Sequence, residues 1–458
     1  MKLNKLTNWV IFMLVAAAVF QTGELWLGNT ESHNFFYSLF THSSNDAGVT
    51  DKIYDIIEPE KIVVGYGNKK FNMLYSDADG LSIINLGENV IRDVFENGTF
   101  ESVSEIKWSE YIDSKAVIMK FPFYVSSKEY LKGYAASNSD FLNNVKSINY
   151  IVVVPSGGNS ETSSCYFIDS SSSEAYRFDV SEAESSTALY NAIQTMQYSN
   201  TNTAEYISTV QSGLNIFDSI YVPQWTEGAY IYNSVKSSNP FIKDAQTDVN
   251  AIEQCANYFL ENYISGADIS DVNGIYTLSH DDIVVKYYDT GVFEYYNYDM
   301  GGSDSEQTLA DAYTISRNFI NKDKGIVNDI YLSGAETRND GLVFYYDYTV
   351  NNIPIKISDE LAEQIGMTHA IEIVVNNESV KRYKRYAVDF TVDTENTAEI
   401  NVDMITAWDD ALINYTGNDV VTSVSDMFIG YYAGSEEDLF IKWFTNVNGN
   451  TIVGDTYK

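Results

Sequence analysis

Short stretches of alternating apolar and polar residues near the start of the folded part predict strands. EKIVVGYG and FNMLYS form a predicted hairpin with a tight Asn-Lys turn. ENVIRDVFENG has apolar residues at helical spacing instead, and Gly98 ends that predicted helix. AVIMKFPF and NYIVVVPS predict two further strands, with a helix capped at Ser126 or Ser127 between them.

The serine-rich stretch from Glu161 to Ser186 also has a strand pattern. CYFID and AYRFDV predict the two arms of a hairpin, so the serines Ser170–Ser173 form its turn and not a disordered linker. AESSTALYNAIQTM, which follows, has the pattern of a helix. Together these elements predict a mixed α/β domain that ends near residue 198.

A helix followed by an antiparallel meander occurs three times in the second half. The predicted helices are DVNAIEQCANYFLENY, SEQTLADAYTISRNFIN and MITAWDDALINY. The last two meanders are especially alike, since NDGLVFYYDYTVNNIPI and EEDLFIKWFTNVNGNTI share a polar turn, an aromatic strand, an Asn-containing turn and a closing strand. Their identity is low, so they indicate structural repetition and not proven duplication. Runs of strands with helices on one face predict an α+β fold.

The N-terminal segment predicts how the chain relates to a membrane. Trp9–Phe20 carries no charge and follows Lys2 and Lys5, a pattern that places the basic end in the cytoplasm and the rest of the chain outside. A run of this length suits a cleaved signal peptide. Leu6–Leu27, however, is long enough as a helix, at roughly 33 Å, to span a bilayer. We expect an uncleaved anchor, although Glu24 near its outer end would be costly in lipid.

Small residues within this predicted anchor are candidates for contact with a partner helix. Ala16, Ala17, Ala18 and Gly23 would allow close helix packing in a membrane. The alternative is that they face lipid, or that the alanines form a signal peptidase site.

Composition limits the classes of partner. The 458 residues include 28 basic and 64 acidic residues, a net charge of −36, so nucleic acid and anionic lipid surfaces would repel the chain. Solubility outside the cell explains this charge, and binding of divalent cations is the alternative. The length suits about two to four domains. We predict an anchor and juxtamembrane segment, an N-terminal domain, a middle domain and a C-terminal domain, at residues 1–34, 35–198, 199–300 and 301–458.

The two cysteines, Cys165 and Cys255, are far apart and form no CxxC pattern. A zinc site or a disulfide framework is therefore not indicated. A single disulfide and two unrelated buried thiols both remain open.

A search for catalytic motifs finds none, and we predict no enzyme activity, cofactor or metal. HExxH, GxSxG and Walker A patterns are missing from the sequence, and His369 lies in a strand-like stretch, THAIEIVV. Asp77, Asp79 and Gly80 resemble part of a calcium loop, but the first and last loop positions would be tyrosine and leucine, so we interpret the stretch as a turn. A glycosidase with carboxylates distant in sequence stays possible.

Tyrosine-rich strands suggest a binding surface. VVKYYDTGVFEYYNYD places Tyr287, Tyr295 and Tyr298 among alternating strand positions. Aromatic residues at a polar rim make good interface anchors, so these three are candidate partner contacts. Ordinary packing within the sheet is the alternative interpretation.

The layout resembles the YycH family, extracytoplasmic regulators of the essential WalK/WalR-type cell-wall two-component system of Gram-positive bacteria. The resemblance lies in the stretches WVIFMLVAAAVFQTGELWL, IIEPEKIVVGYGNKKFNMLY and GIYTLSHDDIVVKYYDTGVFEYYNYD and in the later helix-plus-meander units. It implies three extracytoplasmic domains on one transmembrane helix. It also implies two partners, a sensor histidine kinase and a second single-span protein of the YycI type, and no catalytic residues. This chain departs from the family in its strong acidity.

These observations predict a single-pass protein of the cell membrane, with its N-terminus in the cytoplasm and its α+β domains outside. It would modulate a sensor histidine kinase by protein contact, with the sign of the regulation left open. The alternative is a secreted or membrane-associated binding protein for a cell-wall polymer or a divalent cation.

Overall fold

The computed structural model describes residues 54–75, 78–157, 161–181, 184–199, 205–211, 221–224, 230–260, 270–299, 307–417, 420–421, 423–434 and 438–457. The predicted anchor, with Ala16, Ala17, Ala18 and Gly23, lies outside these ranges and stays a prediction. No helix within them has the length and apolar character needed to cross a bilayer. Residues 53–458 belong to one compact unit. The two predicted domain boundaries within that unit, after residues 198 and 300, stay predictions.

The first nine strands form one antiparallel sheet. In chain order they are β1 (Lys61–Tyr66), β2 (Phe71–Leu74), β3 (Thr99–Glu105), β4 (Lys115–Ser126), β5 (Ser147–Val154), β6 (Thr162–Asp169), β7 (Glu174–Ser181), β8 (Glu205–Ser208) and β9 (Tyr221–Gln224). Their order across the sheet is β3-β7-β6-β5-β4-β1-β2-β8-β9. The predicted hairpins are confirmed, since β1 pairs with β2 and β6 pairs with β7.

Within the described residues, five helices accompany this sheet. They are α1 (Ala78–Asn97), α2 (Trp108–Tyr111), α3 (Ser127–Lys132), α4 (Ser139–Asn144) and α5 (Glu184–Ser199). The cap at Ser126 is confirmed, because its hydroxyl accepts a hydrogen bond from the Glu129 backbone N–H. The predicted turn at Asp79 and Gly80 is wrong, because α1 already includes both residues. Buried Ile83 and Ile84 continue the apolar face of that helix toward its N-terminus.

Both faces of the nine-stranded sheet are covered. Val64 and Val117 lie in the core that includes α1 and α5 residues, whereas Val63 and Ile118 lie in a second cluster with Trp108. Neighbouring strand residues point to opposite faces, so a sheet buried on both sides needs continuous apolar runs such as those of β1 and β5.

The second half of the chain contains seventeen strands within the described ranges. They are β10 (Tyr230–Ser238), β11 (Ile242–Lys243), β12 (Gln246–Thr247), β13 (Ser270–Val272), β14 (Ile275–His280), β15 (Ile283–Tyr288), β16 (Val292–Asn297), β17 (Asp329–Arg338), β18 (Gly341–Val350), β19 (Ile353–Ile357), β20 (Ile371–Asn376), β21 (Ser379–Tyr386), β22 (Asp389–Ile400), β23 (Val424–Ala433), β24 (Asp438–Leu439), β25 (Ile441–Val447) and β26 (Asn450–Asp455). The helices are α6 (Val249–Ala256), α7 (Leu309–Ile320), α8 (Asp359–Ile365) and α9 (Met404–Asn414).

A twelve-stranded sheet contains most of these strands. Its order is β13-β14-β15-β16-β21-β20-β18-β19-β23-β25-β26, and β17 also pairs with β18. The pairing of β19 with β23 is parallel, and it joins two meanders into one sheet. Strands β22, β10 and β24 form a separate three-stranded sheet. The predicted α+β fold class is therefore confirmed.

The three predicted helix-plus-meander units are confirmed. Helix α6 precedes β14-β15-β16, α7 precedes β17-β18-β19, and α9 precedes β23-β25-β26. The two similar units have matching turns, because Asn351-Asn352 and Asn448-Gly449 all have positive φ angles, between 48° and 80°. Such two-residue turns fit the twist of paired strands. Helix α6 is shorter than predicted and ends at Ala256.

Contacts between residues distant in sequence join the two large sheets. The side chain of Asn352 accepts a hydrogen bond from the Tyr75 N–H at 2.6 Å and donates one to the Met73 carbonyl at 2.7 Å. The Tyr75 ring packs on Tyr331, with 4.7 Å between ring centroids. The turn of the second helix-plus-meander unit is thereby held against the end of β2.

Helix α7 makes the other main connection to the N-terminal part. Arg317 donates a hydrogen bond to Glu58 Oε1 at 2.8 Å, and the Thr314 hydroxyl accepts one from the Asp55 N–H. The Glu129 carboxylate accepts a hydrogen bond from the Ala310 N–H in the first turn of α7. A negative charge there suits the positive end of the helix dipole.

Both cysteines are free and buried. Cys165 lies in β6 and Cys255 in α6. The sequence left open a single disulfide or two unrelated buried thiols, and the structure shows the two buried thiols. Burial raises the pKa of both thiols, that of Cys255 to about 12, so neither is an activated nucleophile.

The half-buried Glu88 on α1 should make stability depend on pH. Burial, with a smaller contribution from Glu58, raises the pKa of Glu88 from 4.5 to about 8, against the opposing effect of Arg92. Between these values the folded chain binds more protons than the unfolded chain, so this carboxyl makes the free energy of unfolding fall as pH rises. We expect Glu88→Gln to raise the melting temperature more at about pH 8 than at about pH 5.

Thermal melts of the wild type and of Glu88→Gln across that pH range test this expectation. Glu96→Gln is the matched control, since Glu96 is exposed on the same helix. An equal effect of Glu88→Gln at both pH values would contradict it.

Candidate partner-binding face of the large sheet

Two of the three tyrosines predicted as partner contacts are not on the surface. Tyr287 is fully buried and Tyr295 is 5% exposed, whereas Tyr298 is 61% exposed. Tyr287 packs on Phe241, and Tyr295 packs on Phe259 and Phe319. The predicted alternation is correct, but the face that carries Tyr287 and Tyr295 is covered by side chains from other parts of the chain. The prediction for these two residues is therefore corrected, and the prediction for Tyr298 stays open.

The neighbouring tyrosines, Tyr288 and Tyr296, point to the opposite face and are half-buried. Tyr288 donates a hydrogen bond to Glu294 Oε2 at 2.7 Å, and Tyr296 donates one to Glu294 Oε1 at 3.0 Å. Burial raises the pKa of Tyr296 to about 12, and the Glu294 charge adds to this effect. Both phenols therefore stay protonated at neutral pH and remain donors to Glu294.

Charged residues of alternating sign cross this face from strand to strand. The pairing register aligns Lys286 with Glu294, Glu294 with Lys384, Lys384 with Glu372, and Glu372 with Tyr345. The Lys384 ammonium lies 3.1 Å from Glu294 Oε1. Opposite charges directly across paired strands stabilise a sheet. We call this row of five residues the charge ladder.

A second group of paired charges continues the charge ladder toward β17. Arg382 and Arg338 both contact the Glu372 carboxylate, Arg338 at 3.2 Å. Arg338 also pairs with Glu336, and the Tyr345 hydroxyl donates a hydrogen bond to Glu336 at 2.6 Å. The carboxylates of this group are therefore held by cations or phenols of the same face.

One end of the charge ladder presents its aromatic rings to solvent. Tyr296 and Tyr298 are stacked with 6.2 Å between ring centroids, and the Lys286 ammonium lies 5.7 Å from the Tyr296 ring. Exposed tyrosine beside a cation suits an interface, because the ring buries apolar area while its hydroxyl and the ammonium bind polar groups. The candidate contact region therefore consists of Lys286, Tyr288, Tyr296 and Tyr298, and we call it the Tyr298 patch.

The positions of the charged residues in the sequence already indicate which face of these strands is covered. In β15 and β16 the charged residues Lys286 and Glu294 share an alternation with Tyr288 and Tyr296. The positions that include Tyr287 carry no charge on these two strands. Charged residues are rarely buried in an apolar core, so the uncharged positions are the ones expected to pack inside.

His369 lies beside this face in a buried polar cluster. Its Nδ1 atom is 3.2 Å from both the Ser333 hydroxyl and Asp347 Oδ2, and Lys356 also pairs with Asp347 at 2.6 Å. Burial alone would raise the pKa of Asp347, but Lys356 and His369 outweigh it and hold that pKa well below 3.8. A catalytic triad needs serine and aspartate on opposite ring nitrogens. Here both lie at Nδ1, so this cluster lacks the geometry of a catalytic triad.

A small cavity lies where the two large sheets meet. Its volume is about 20 Å³, and its lining includes Lys61, Lys120 and Asp426. That is room for about one water molecule and no larger ligand. In the part of the chain that the structure describes, no three His, Cys, Asp or Glu side chains are grouped to hold a metal ion.

Comparison with solved structures identifies a similar fold. The crystal structure of YycH from Bacillus subtilis superposes with a TM-score of 0.52 over 88% of this chain and 98% of that chain, at 13% sequence identity. An uncharacterized protein from Eubacterium rectale covers 55% of this chain and 92% of its own length at 15% identity, but its TM-score of 0.32 is too low to support an argument. No family model and no curated protein matches the sequence. The chain therefore has a YycH-like fold.

Proposed function

We propose that this chain is a membrane-anchored extracytoplasmic regulatory protein that modulates a sensor histidine kinase of a cell-wall two-component system by protein contact. The observation that carries the proposal is the YycH-like fold, which extends over 88% of this chain and 98% of YycH from Bacillus subtilis. The apolar run Leu6–Leu27 supports an anchor with the folded part outside the cell. A second single-span protein of the YycI type would be a further partner.

Regulation by contact needs no chemistry on the regulator. A protein that binds one kinase conformation more tightly than another shifts the equilibrium between them. A difference in binding free energy of about 1–3 kcal/mol is the usual size of such coupling. The anchor would confine regulator and kinase to one membrane and raise their effective concentration.

The Tyr298 patch is the proposed site of this contact. Tyr298 supplies an exposed ring, and Lys286 and Tyr296 supply a cation and a second ring beside it. The carboxylates next to the patch are already paired, as Glu294 is with Tyr288, Tyr296 and Lys384. Binding there would not require a partner to neutralise them, which lowers the desolvation cost.

Co-purification from membranes tests the proposal. The full-length chain, tagged at its C-terminus, is purified from membranes of a Gram-positive host, and its mass is measured. We expect an intact N-terminus and a histidine kinase among the recovered proteins. A chain that has lost its N-terminal segment and is found in the medium without a kinase would refute the proposal and favour the secreted binding protein.

Substitution of the patch tests the contact site. We expect Lys286→Gln with Tyr298→Ser to lower the recovered kinase about tenfold with little change in the melting temperature, because aromatic and charged residues dominate interface energies and Glu294 keeps Lys384 as its partner. Tyr198→Ser is the matched control, since Tyr198 is 74% exposed on α5. Unchanged recovery for the double variant would exclude this patch as the contact site.

A further inference from the structure

Helix α9 exposes apolar residues on the side that faces away from the sheet. Met404, Ala407 and Ala411 are buried on its inner side, where the helix packs on β25 and β26. Ile405 and Ile413 are nevertheless 56% and 78% exposed. Large apolar side chains on the outer side of a surface helix are unusual, and within the described residues the side chains of Ile405 and Ile413 stay largely uncovered.

The exposed side has a defined shape and charge. Ile405, Asp409 and Ile413 are spaced four residues apart and form one ridge about 12 Å long. Half-buried Trp408 and Leu412 widen the ridge along one flank. We call these five residues the α9 ridge.

Two further apolar residues are exposed beyond the end of the helix. Val420 is 82% and Val421 is 38% exposed. Asn448 holds Val420 in place by donating a hydrogen bond to its carbonyl at 3.0 Å, and Asn448 also bonds the Tyr415 hydroxyl. Exposed apolar patches often mark interaction sites in soluble domains.

The charges around the ridge select its occupant. Helix α9 carries no lysine or arginine, and Asp409 lies within the ridge with Asp410 beside it. A second copy of this chain would bring like charges together, both at Asp409 and through the net charge of −36. A basic partner would instead be attracted and oriented.

We propose that the α9 ridge docks a helix of another protein, one that presents an apolar stripe interrupted by lysine or arginine opposite Asp409. The apolar side chains of that helix would pack between Ile405 and Ile413 in the manner of ridges into grooves. This surface is separate in sequence from the Tyr298 patch. The proposal does not depend on the identity of the kinase.

Site-specific photo-crosslinking in the full-length chain tests the proposal. The chain carries benzoylphenylalanine in place of Ile413 and is reconstituted in zwitterionic lipid nanodiscs. The probe is a synthetic amphipathic helix with leucines on one face and lysines beside them. The control position is Ile231, which is 70% exposed on β10. Mass spectrometry of the adduct identifies what occupies each position.

We expect the lysine peptide to crosslink at Ile413 about tenfold more than at Ile231, and Asp409→Lys to remove about that factor. A second peptide, with glutamate in place of lysine, should crosslink poorly to the original chain and well to Asp409→Lys. Circular dichroism confirms that each variant is folded.

Three other outcomes would overturn the proposal. Equal yields at Ile413 and Ile231 would mean nonspecific binding to an acidic protein. Lipid adducts at Ile413 would mean that the ridge lies on a membrane, and adducts with twice the chain mass would mean a second copy. None of these readouts uses the kinase, so failure here is distinguishable from failure of the proposed function.

Discussion

Asp323→Ala is expected to lower the free energy of unfolding by about 3–5 kcal/mol, because it leaves a buried arginine without its counter-ion. Asp323 and Arg385 have side chains that are 0% and 1% exposed, with Arg385 Nε 3.1 Å from Asp323 Oδ2. Tyr383 and the Gly325 N–H both donate hydrogen bonds to the same carboxylate. Removing it therefore leaves a buried cation without its counter-ion, and a buried hydroxyl and a half-buried N–H without their acceptor.

Urea unfolding followed by circular dichroism measures this loss. Glu363→Ala, at an exposed position of α8, is the matched control and should change stability by about 0.5 kcal/mol or less. The double variant Asp323→Leu with Arg385→Leu should lose less than Asp323→Ala, because it removes both charges together. If Asp323→Ala lowered the free energy of unfolding no more than Glu363→Ala does, the burial of this pair would be contradicted.

The second large effect is expected at the junction between the two large sheets. Asp426 of β23 pairs with Lys61 of β1 and lies 3.5 Å from Lys120 of β4. The Lys61 side chain is 6% exposed and lies over the Phe428 ring, so removing the carboxylate leaves its charge without this counter-ion and away from bulk solvent. We expect Asp426→Ala to lower the free energy of unfolding by about 3 kcal/mol.

The stability that Asp426 contributes through Lys61 and Lys120 should depend on pH. Burial alone would raise the pKa of Asp426, but Lys120 and Lys61 outweigh burial and lower it. A carboxyl with a lowered folded pKa contributes stability above its unfolded pKa of about 3.9 and loses that contribution as pH falls through the folded value. The stability difference between wild type and Asp426→Ala should therefore be full at neutral pH and shrink in strong acid.

Asp455→Ala is the matched control for this pair. It removes the partner of Lys442 at the surface, where the two side chains are 33% and 70% exposed, and should cost about 1 kcal/mol or less. Equal losses for Asp426→Ala and Asp455→Ala in urea unfolding would show that the junction pair is not buried.

Local sequence patterns were sufficient to predict most of the helices and strands. The first hairpin formed at β1 and β2 because alternating residues and a short turn determine pairing between neighbours. The cap of α3 at Ser126 and the paired-asparagine turn after β18 also depend on adjacent residues alone. The start of α1 was predicted too late, because its first turn contains Asp79 and Gly80, which usually mark turns.

The candidate site was predicted only in part. The tyrosine-rich strands and their alternation came from the sequence, and Tyr298 is exposed. Tyr287 and Tyr295 were candidate contacts but follow the alternative, packing within the fold, because alternation defines two faces without stating which one is covered. The cover includes Phe241, Phe259 and Phe319, which come from other segments.

The sequence by itself thus determined the α+β class, the three helix-plus-meander units and most strand positions, since each depends on interactions between residues close along the chain. Only the tertiary structure decided which tyrosines face solvent, that Asp426 meets Lys61 across 365 residues, and that the outer side of α9 stays exposed. The physical reason is the same in each case. Burial and charge pairing depend on which distant segments come together, and a local pattern of apolar and polar residues does not specify that.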